Sequence, residues 1–190
     1  ADASYPYSIN MNREQLIQTI NRLMLFTTSN NGKEIVKPNS TFEFKKDSVV
    51  IYDVKKENKE EIYHNARCFH LKVPNIGPAQ AIWYDVAALS DCCKYIKANK
   101  IEKPVVYILA CRIGPFMKGF VRKIHKLGGV VYVNPDGHEW LRAKWPAPVR
   151  KYWKISEQLM TKHADLMVCD SKNIEKYIQE SYARYNPKTT

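Results

Sequence analysis

The chain has 190 residues, 45% hydrophobic and 12% aromatic, and a formal net charge of +11 at pH 7. That composition supplies a full domain with a real core and excludes a disordered chain. No run approaches the ~20 apolar residues of a membrane span and no signal-peptide pattern opens the chain, so it reads as soluble, while the charge calls for an anionic partner such as a nucleotide, a nucleic acid or acidic lipid.

In chain order, residues 1–10 read as a lead. Asn12 can cap a helix, with Gln15 three residues on, and Leu16, Ile17, Ile20, Leu23 and Met24 repeat at helical spacing until TTSNNGK. KEIVKPNSTFEFKK alternates about a Pro-Asn-Ser turn and predicts a hairpin. Residues 1–48 therefore form a weakly patterned N-terminal segment.

From Val49 the pattern is regular. VVIYDV and RCFHLKV predict strands. After PNIGPAQ, the residues Ala81, Ile82, Asp85, Ala88, Leu89, Cys92, Tyr95 and Ile96 share one helical face. PVVYILAC is a near-continuous apolar strand, of the kind covered on both faces in a parallel sheet. A helix follows with Phe116, Phe120, Ile124 and Leu127 on one side and Gly128 at its stop. VVYVN is a strand, and Val149, Tyr152, Trp153, Ser156, Leu159 and Met160 mark another helix. DLMVC is a strand, and Ser171 caps a last helix carrying Ile174, Tyr177, Ile178 and Tyr182. Strand alternating with helix over residues 49–190 predicts an α/β domain, Rossmann-like, with a doubly wound, mainly parallel sheet in three α/β/α layers.

In such a sheet the loops after the strands gather on one edge, where ligands bind. Four of these loops are rich in turn and polar residues: PNIGPAQ, RIGPF, PDGHEW and DSKN. Gly77, Gly114 and Gly137 let the backbone turn tightly or approach a ligand, and Asn75, Arg112, Asp170 and Ser171 join them as binding candidates. Asp136, His138 and Glu139 offer two carboxylates and an imidazole within four positions, a set that can hold sugar hydroxyls or accept a proton. NPDG is equally an ordinary turn, and His138 or Glu139 equally a cap for the helix that follows.

Charge is concentrated around this packet. From Arg112 to Lys162 there are eleven Lys/Arg against three acids, whereas Lys45 to Glu61 carries five of each. The segment from Phe116 to Lys126 reads as a core-packed helix on its apolar side and an anionic-lipid surface on its basic side, through Lys118, Arg122, Lys123 and Lys126, with Arg142 and Lys144 beside it. The odd number of cysteines, mostly inside apolar runs, fits free thiols in a reducing cytoplasm. His64, Cys68 and His70 lack a fourth ligand at zinc spacing, so burial is the better reading and no metal site is expected. No GxGxxG, Walker loop or G-x-S-x-G elbow is present, which counts against dinucleotide, P-loop and serine-esterase chemistry.

Four stretches, ARCFHLKVPNIGPAQAIWYDVAAL, YILACRIGPF, VNPDGHEWLRAKWPAPVRKYWKISEQL and HADLMVCDSKNIEKYI, resemble the N-terminal domain of bacterial rhamnosyltransferases of capsule and cell-wall polysaccharide synthesis, in glycosyltransferase family 4. The resemblance implies one half of a GT-B enzyme, in which this domain receives a lipid-linked saccharide at the inner membrane face. A C-terminal domain, absent from this chain, would hold the nucleotide sugar, with dTDP-rhamnose as donor and neither a catalytic metal nor a tightly bound cofactor. The chain departs from the pattern in having no glycine-rich loop in residues 1–48 and in stopping at NPKTT, so a partial enzyme inactive alone is expected. Asp136, His138 and Glu139 are the candidates for acceptor base. The competing readings are a non-catalytic subunit that pairs with a separate donor-domain chain, and a basic nucleic-acid-binding module. Against the latter, the aromatics lie at core spacing in helices instead of being arrayed on strands.

Overall fold

The computed structural model describes Leu23–Phe26 and residues 49–190 except 56–57, 64–65, 78, 136–137 and 143–144. Among the described residues, seven strands form one sheet: β1 (Leu23–Phe26), β2 (Val49–Lys55), β3 (Lys59–Tyr63), β4 (Ala66–Lys72), β5 (Val105–Ile108), β6 (Val130–Val133) and β7 (Leu166–Met167). Four α-helices accompany them among the described residues: α1 (Ala79–Ala98), α2 (Gly114–Lys126), α3 (Ala147–His163) and α4 (Lys172–Ser181). Short 3₁₀ turns cover Glu139–Leu141 and Ala183–Tyr185.

The strand order is β3-β4-β2-β1-β5-β6-β7. β2 and β4 are parallel, as are β5, β6 and β7, and β1 joins the two groups by antiparallel pairing with β2 and β5. Two antiparallel steps restore direction, so β2, β4, β5, β6 and β7 all point the same way. The fold is α/β, Rossmann-like and mainly parallel, and the chain leaves β4, β5, β6 and β7 at one common edge.

The alternation of strand side chains divides the core in two. Val50, Tyr52, Val106, Ile108, Val131 and Val133 face a large cluster that also takes buried residues from all four helices, among them Leu89, Met117, Met160 and Ile178. Val49, Ala66 and Cys68 form a smaller cluster on the other face. Of the two helical layers expected, the described helices make up the one over the larger cluster.

Several expectations are corrected. Leu23 and Met24, assigned by spacing to the first helix, lie in β1 at the centre of the sheet, so part of the 1–48 segment shares the sheet of the elements after Val49. Asn12, His64 and the hairpin expected around Pro38 lie outside the described residues. β3 has no apolar alternation to announce it. It is an edge strand of sequence KEEIY with Lys59 and Glu60 exposed, and charges are a usual guard on such an edge. On α2 the buried face is Met117, Val121 and Ile124, with Phe120 only half-buried and Phe116 48% exposed, so the apolar stripe is rotated from the one expected. α1, α3 and α4 bury the expected faces, and Gly128 (φ +79°) stops α2 as expected.

Candidate functional site

The edge where β5, β6 and β7 end is built from residues that the fold holds from several directions. The chain leaves β5 through buried Ala110 and turns into α2 at Gly114. Arg112 sits in this turn. Its guanidinium Nη1 is 3.7 Å from Oδ2 of Asp85, a buried residue of α1, and its carbonyl accepts a 2.8 Å hydrogen bond from the Tyr152 hydroxyl of α3. Burial, with Asp85 nearby, pushes the Tyr152 phenol up.

After β6, Asn134 is 3% exposed and its Nδ2 donates to Oδ1 of Asp170 at 2.8 Å, joining the loop after β6 to the loop after β7. Ser171 Oγ accepts from the Ile174 amide at 3.3 Å and caps α4, as the sequence foretold. His138 opens the 3₁₀ turn that carries Glu139, and its ring lies on the Tyr177 ring of α4 with centroids 4.0 Å apart. Both Glu139 oxygens are engaged: Trp145 Nε1 donates to Oε1 and Arg142 Nε meets Oε2, each at 2.8 Å. Asp136, Gly137 and Lys144 lie outside the described residues.

A small recess lies within this edge, and Arg112, Glu139, Trp140, Trp153 and Glu157 line it. Glu157, from α3, is 3% exposed, and its Oε1 accepts a 2.5 Å hydrogen bond from the Tyr177 hydroxyl and a second from the Tyr182 hydroxyl. Burial first, and Glu157 second, push the Tyr177 phenol up to about 12. Lys154 Nζ stands 3.6 Å from the centre of the Trp140 ring, a cation–π contact.

The structure thus brings Arg112, His138, Glu139 and Asp170 to one edge, together with Asp85, Asn134, Glu157 and Tyr177, which were not among the candidates. Asn75 and Gly77 leave the same edge but from β4, three places from β5, roughly 14 Å away at ~4.8 Å per strand. Gly77 (φ +58°) serves the tight turn expected of it. At Gly114 packing accounts for the glycine: a Cβ there would lie 2.5 Å from the Ser156 backbone.

Lys118, Arg122, Lys123 and Lys126 are exposed on α2, and Arg142 is exposed on the loop before α3. Burial, followed by Lys162, Lys118 and Arg122, lowers the His163 imidazole, so α2 and α3 share one positive surface. Cys68 and His70 are buried in β4, where His70 Nε2 lies 2.8 Å from Glu61 Oε1. Among the described residues no group of three or more His, Cys, Asp or Glu is arranged to hold a metal ion, and no helix is long and apolar enough to cross a membrane.

Fold and edge define a class: an α/β domain, Rossmann-like, whose polar groups collect where its parallel strands end. The chain matches the family described as a domain of unknown function, DUF1972, over residues 31–190, and belongs to that family. No curated protein matches it.

Proposed function

We propose that this chain is the acceptor-binding, N-terminal domain of a GT-B glycosyltransferase, and that the complete enzyme moves rhamnose from dTDP-rhamnose to a lipid-linked saccharide in capsular or cell-wall polysaccharide synthesis. The observation that carries the reading is the convergence of Arg112, Asn134–Asp170 and the Glu139–Glu157 recess on the edge where parallel strands end, the usual place for ligands in open α/β sheets. DUF1972 is associated with glycosyltransferase-like proteins, which supports the same class, while the resemblance of the sequence motifs narrows the donor and acceptor. The basic surface of α2 and α3 supports a peripheral position on the inner face of the membrane.

Of the acceptor-base candidates, Glu139 is bound through both oxygens to Trp145 and Arg142 and suits the work of holding the loop. His138 ring nitrogens make no hydrogen bond with the described residues, so His138 is the better proton acceptor of the two. The test is a transfer assay on the complete gene product with dTDP- and UDP-sugars and lipid-linked acceptors. Transfer from dTDP-rhamnose is expected, with His138→Ala reducing kcat by about 10²-fold or more, the lower range for a general base. Absence of transfer from every donor would remove the proposal.

A further inference from the structure

The backbone of His138 is fixed by the 3₁₀ turn that it opens, where its carbonyl accepts from the Leu141 amide at 2.9 Å. Its imidazole is oriented by packing against two aromatic rings. Tyr177 of α4 presents its ring at a centroid distance of 4.0 Å with 54° between the planes, and Trp140 stands edge-on at 5.9 Å and 71°. A side chain held in this way is only as well placed as the rings that hold it.

Both flanking rings are anchored by α3. Oε1 of Glu157 accepts from the Tyr177 hydroxyl at 2.5 Å, and Lys154 Nζ stands 3.6 Å from the centre of the Trp140 ring. Lys154 and Glu157 are three residues apart, about one helical turn, and so share a side of α3. The helix is itself locked to the start of α2 through Ser156 and Gly114. Glu157 is 3% exposed, and the desolvation of a buried carboxylate is offset only by good hydrogen bonds. Tyr182 also donates to its Oε1 and meets Tyr177, with ring centroids 6.1 Å apart. Among the described residues no ring contact joins Tyr182 to His138.

We propose that Glu157 and Tyr177 are positioning residues for the acceptor base: Glu157 fixes the Tyr177 phenol, and the Tyr177 ring fixes the His138 imidazole in one orientation for proton transfer. This deepens the reading of His138 as that base and rests on it. A general base needs its nitrogen within hydrogen-bond reach of the proton it takes, and a misplacement of 1 Å can cost about 10²-fold in rate. A carboxylate inside the core thereby acts on the edge of the sheet without touching substrate.

The positional part is read on the 190-residue chain without substrate. The chain has five histidines, and the His138 ring-proton signals are those missing from the NMR spectrum of His138→Ala. The face of Tyr177 is expected to displace these signals upfield in the native chain. Tyr177→Leu should abolish the displacement, and Tyr177→Phe, which keeps the ring and loses its bond to Glu157, should reduce it. Glu157→Leu should act as Tyr177→Phe does, whereas Glu157→Gln, which retains an acceptor oxygen, should restore the native signals. Tyr182→Phe removes the other bond to the same oxygen and should leave the His138 signals in place. Circular-dichroism melts establish which variants fold; where Glu157→Leu does not, the tyrosine variants decide.

In the complete gene product, Tyr177→Phe should lower kcat about tenfold with KM unchanged, and Glu157→Gln should keep the native kcat. His138 signals that stay in place in Tyr177→Leu, or move equally in Tyr177→Phe and Tyr182→Phe, overturn the proposal, as does a native kcat in Tyr177→Phe. If no donor supports transfer, the reading of His138 as a base falls with the enzyme, and the NMR signals alone decide whether Glu157 and Tyr177 fix its ring.

Discussion

The amide of Gly114 donates to the side-chain oxygen of Ser156 at 2.8 Å, and the two backbones approach so closely that a Cβ on Gly114 would fall 2.5 Å from the Ser156 Cα. This contact fixes the start of α2, and with it Arg112, against the middle of α3, which carries Glu157. Gly119, on the exposed side of the same helix, has open space where its Cβ would stand.

The two glycines should therefore respond oppositely to alanine. Gly114→Ala has to push two helices apart, an overpacking cost of about 1–3 kcal/mol or more. Gly119→Ala removes a helix-interior glycine at no steric cost and should stabilise by about 0.5–1 kcal/mol. Urea unfolding of both variants measures the contrast. Equal changes of the same sign would show that α2 and α3 are not packed as described.

The tyrosines on Glu157 make stability sensitive to alkali. The folded state holds the Tyr177 proton up to about 12, against an ordinary 10.0, and burial and then Glu157 raise Tyr182 in the same direction. The folded chain thus binds these protons more tightly than the unfolded one, so their contribution is complete below pH 10 and is lost as pH rises from there toward 12. Unfolding free energies at pH 8, 10 and 11 should fall across that window, and should fall less steeply in Tyr177→Phe and Tyr182→Phe. A slope identical to the native chain in both variants would contradict the Glu157 cluster.

Legibility in the sequence followed the range of the interactions. The strands from β4 to β7 and helices α1 to α4 announce themselves through apolar runs and helical repeats, and the common direction of the strands then places the polar loops. β1 does not: Leu23 and Met24 continue a helical spacing, and only pairing with β2 and β5, residues far along the chain, makes LMLF a strand. Glu157 was partly legible. It stands four residues after Trp153 and three before Met160, on the buried face of α3, where an acid needs partners. The partners, Tyr177 and Tyr182, lie 20 and 25 residues away on and beyond α4, and no local pattern gives that contact. The same holds for His138 on Tyr177. Asp85 sits among apolar residues of α1, a signal of the same kind, answered in space by Arg112.

If the basic face of α2 rests on a membrane, charge reversal there has a measurable cost. Each basic residue near an anionic bilayer contributes about 1 kcal/mol, screened by salt. A chain bearing Lys118→Glu, Arg122→Glu and Lys126→Glu should no longer sediment with phosphatidylglycerol vesicles that retain the native chain at low salt, and 0.5 M salt should release the native chain too. Neutral phosphatidylcholine vesicles should retain neither. Undiminished retention of the triple variant would move the membrane contact to another surface.

The placement of the site at the edge where β5, β6 and β7 end is open to one direct measurement. Amide chemical shifts of the ¹⁵N-labelled chain are followed during titration with the acceptor saccharide that the transfer assay selects. Perturbations are expected to cluster at Arg112, at His138 to Trp140, around Glu157 and at Asp170. Perturbations centred instead on the opposite edge, at Lys100, Lys103 and Gly128, would contradict the assignment.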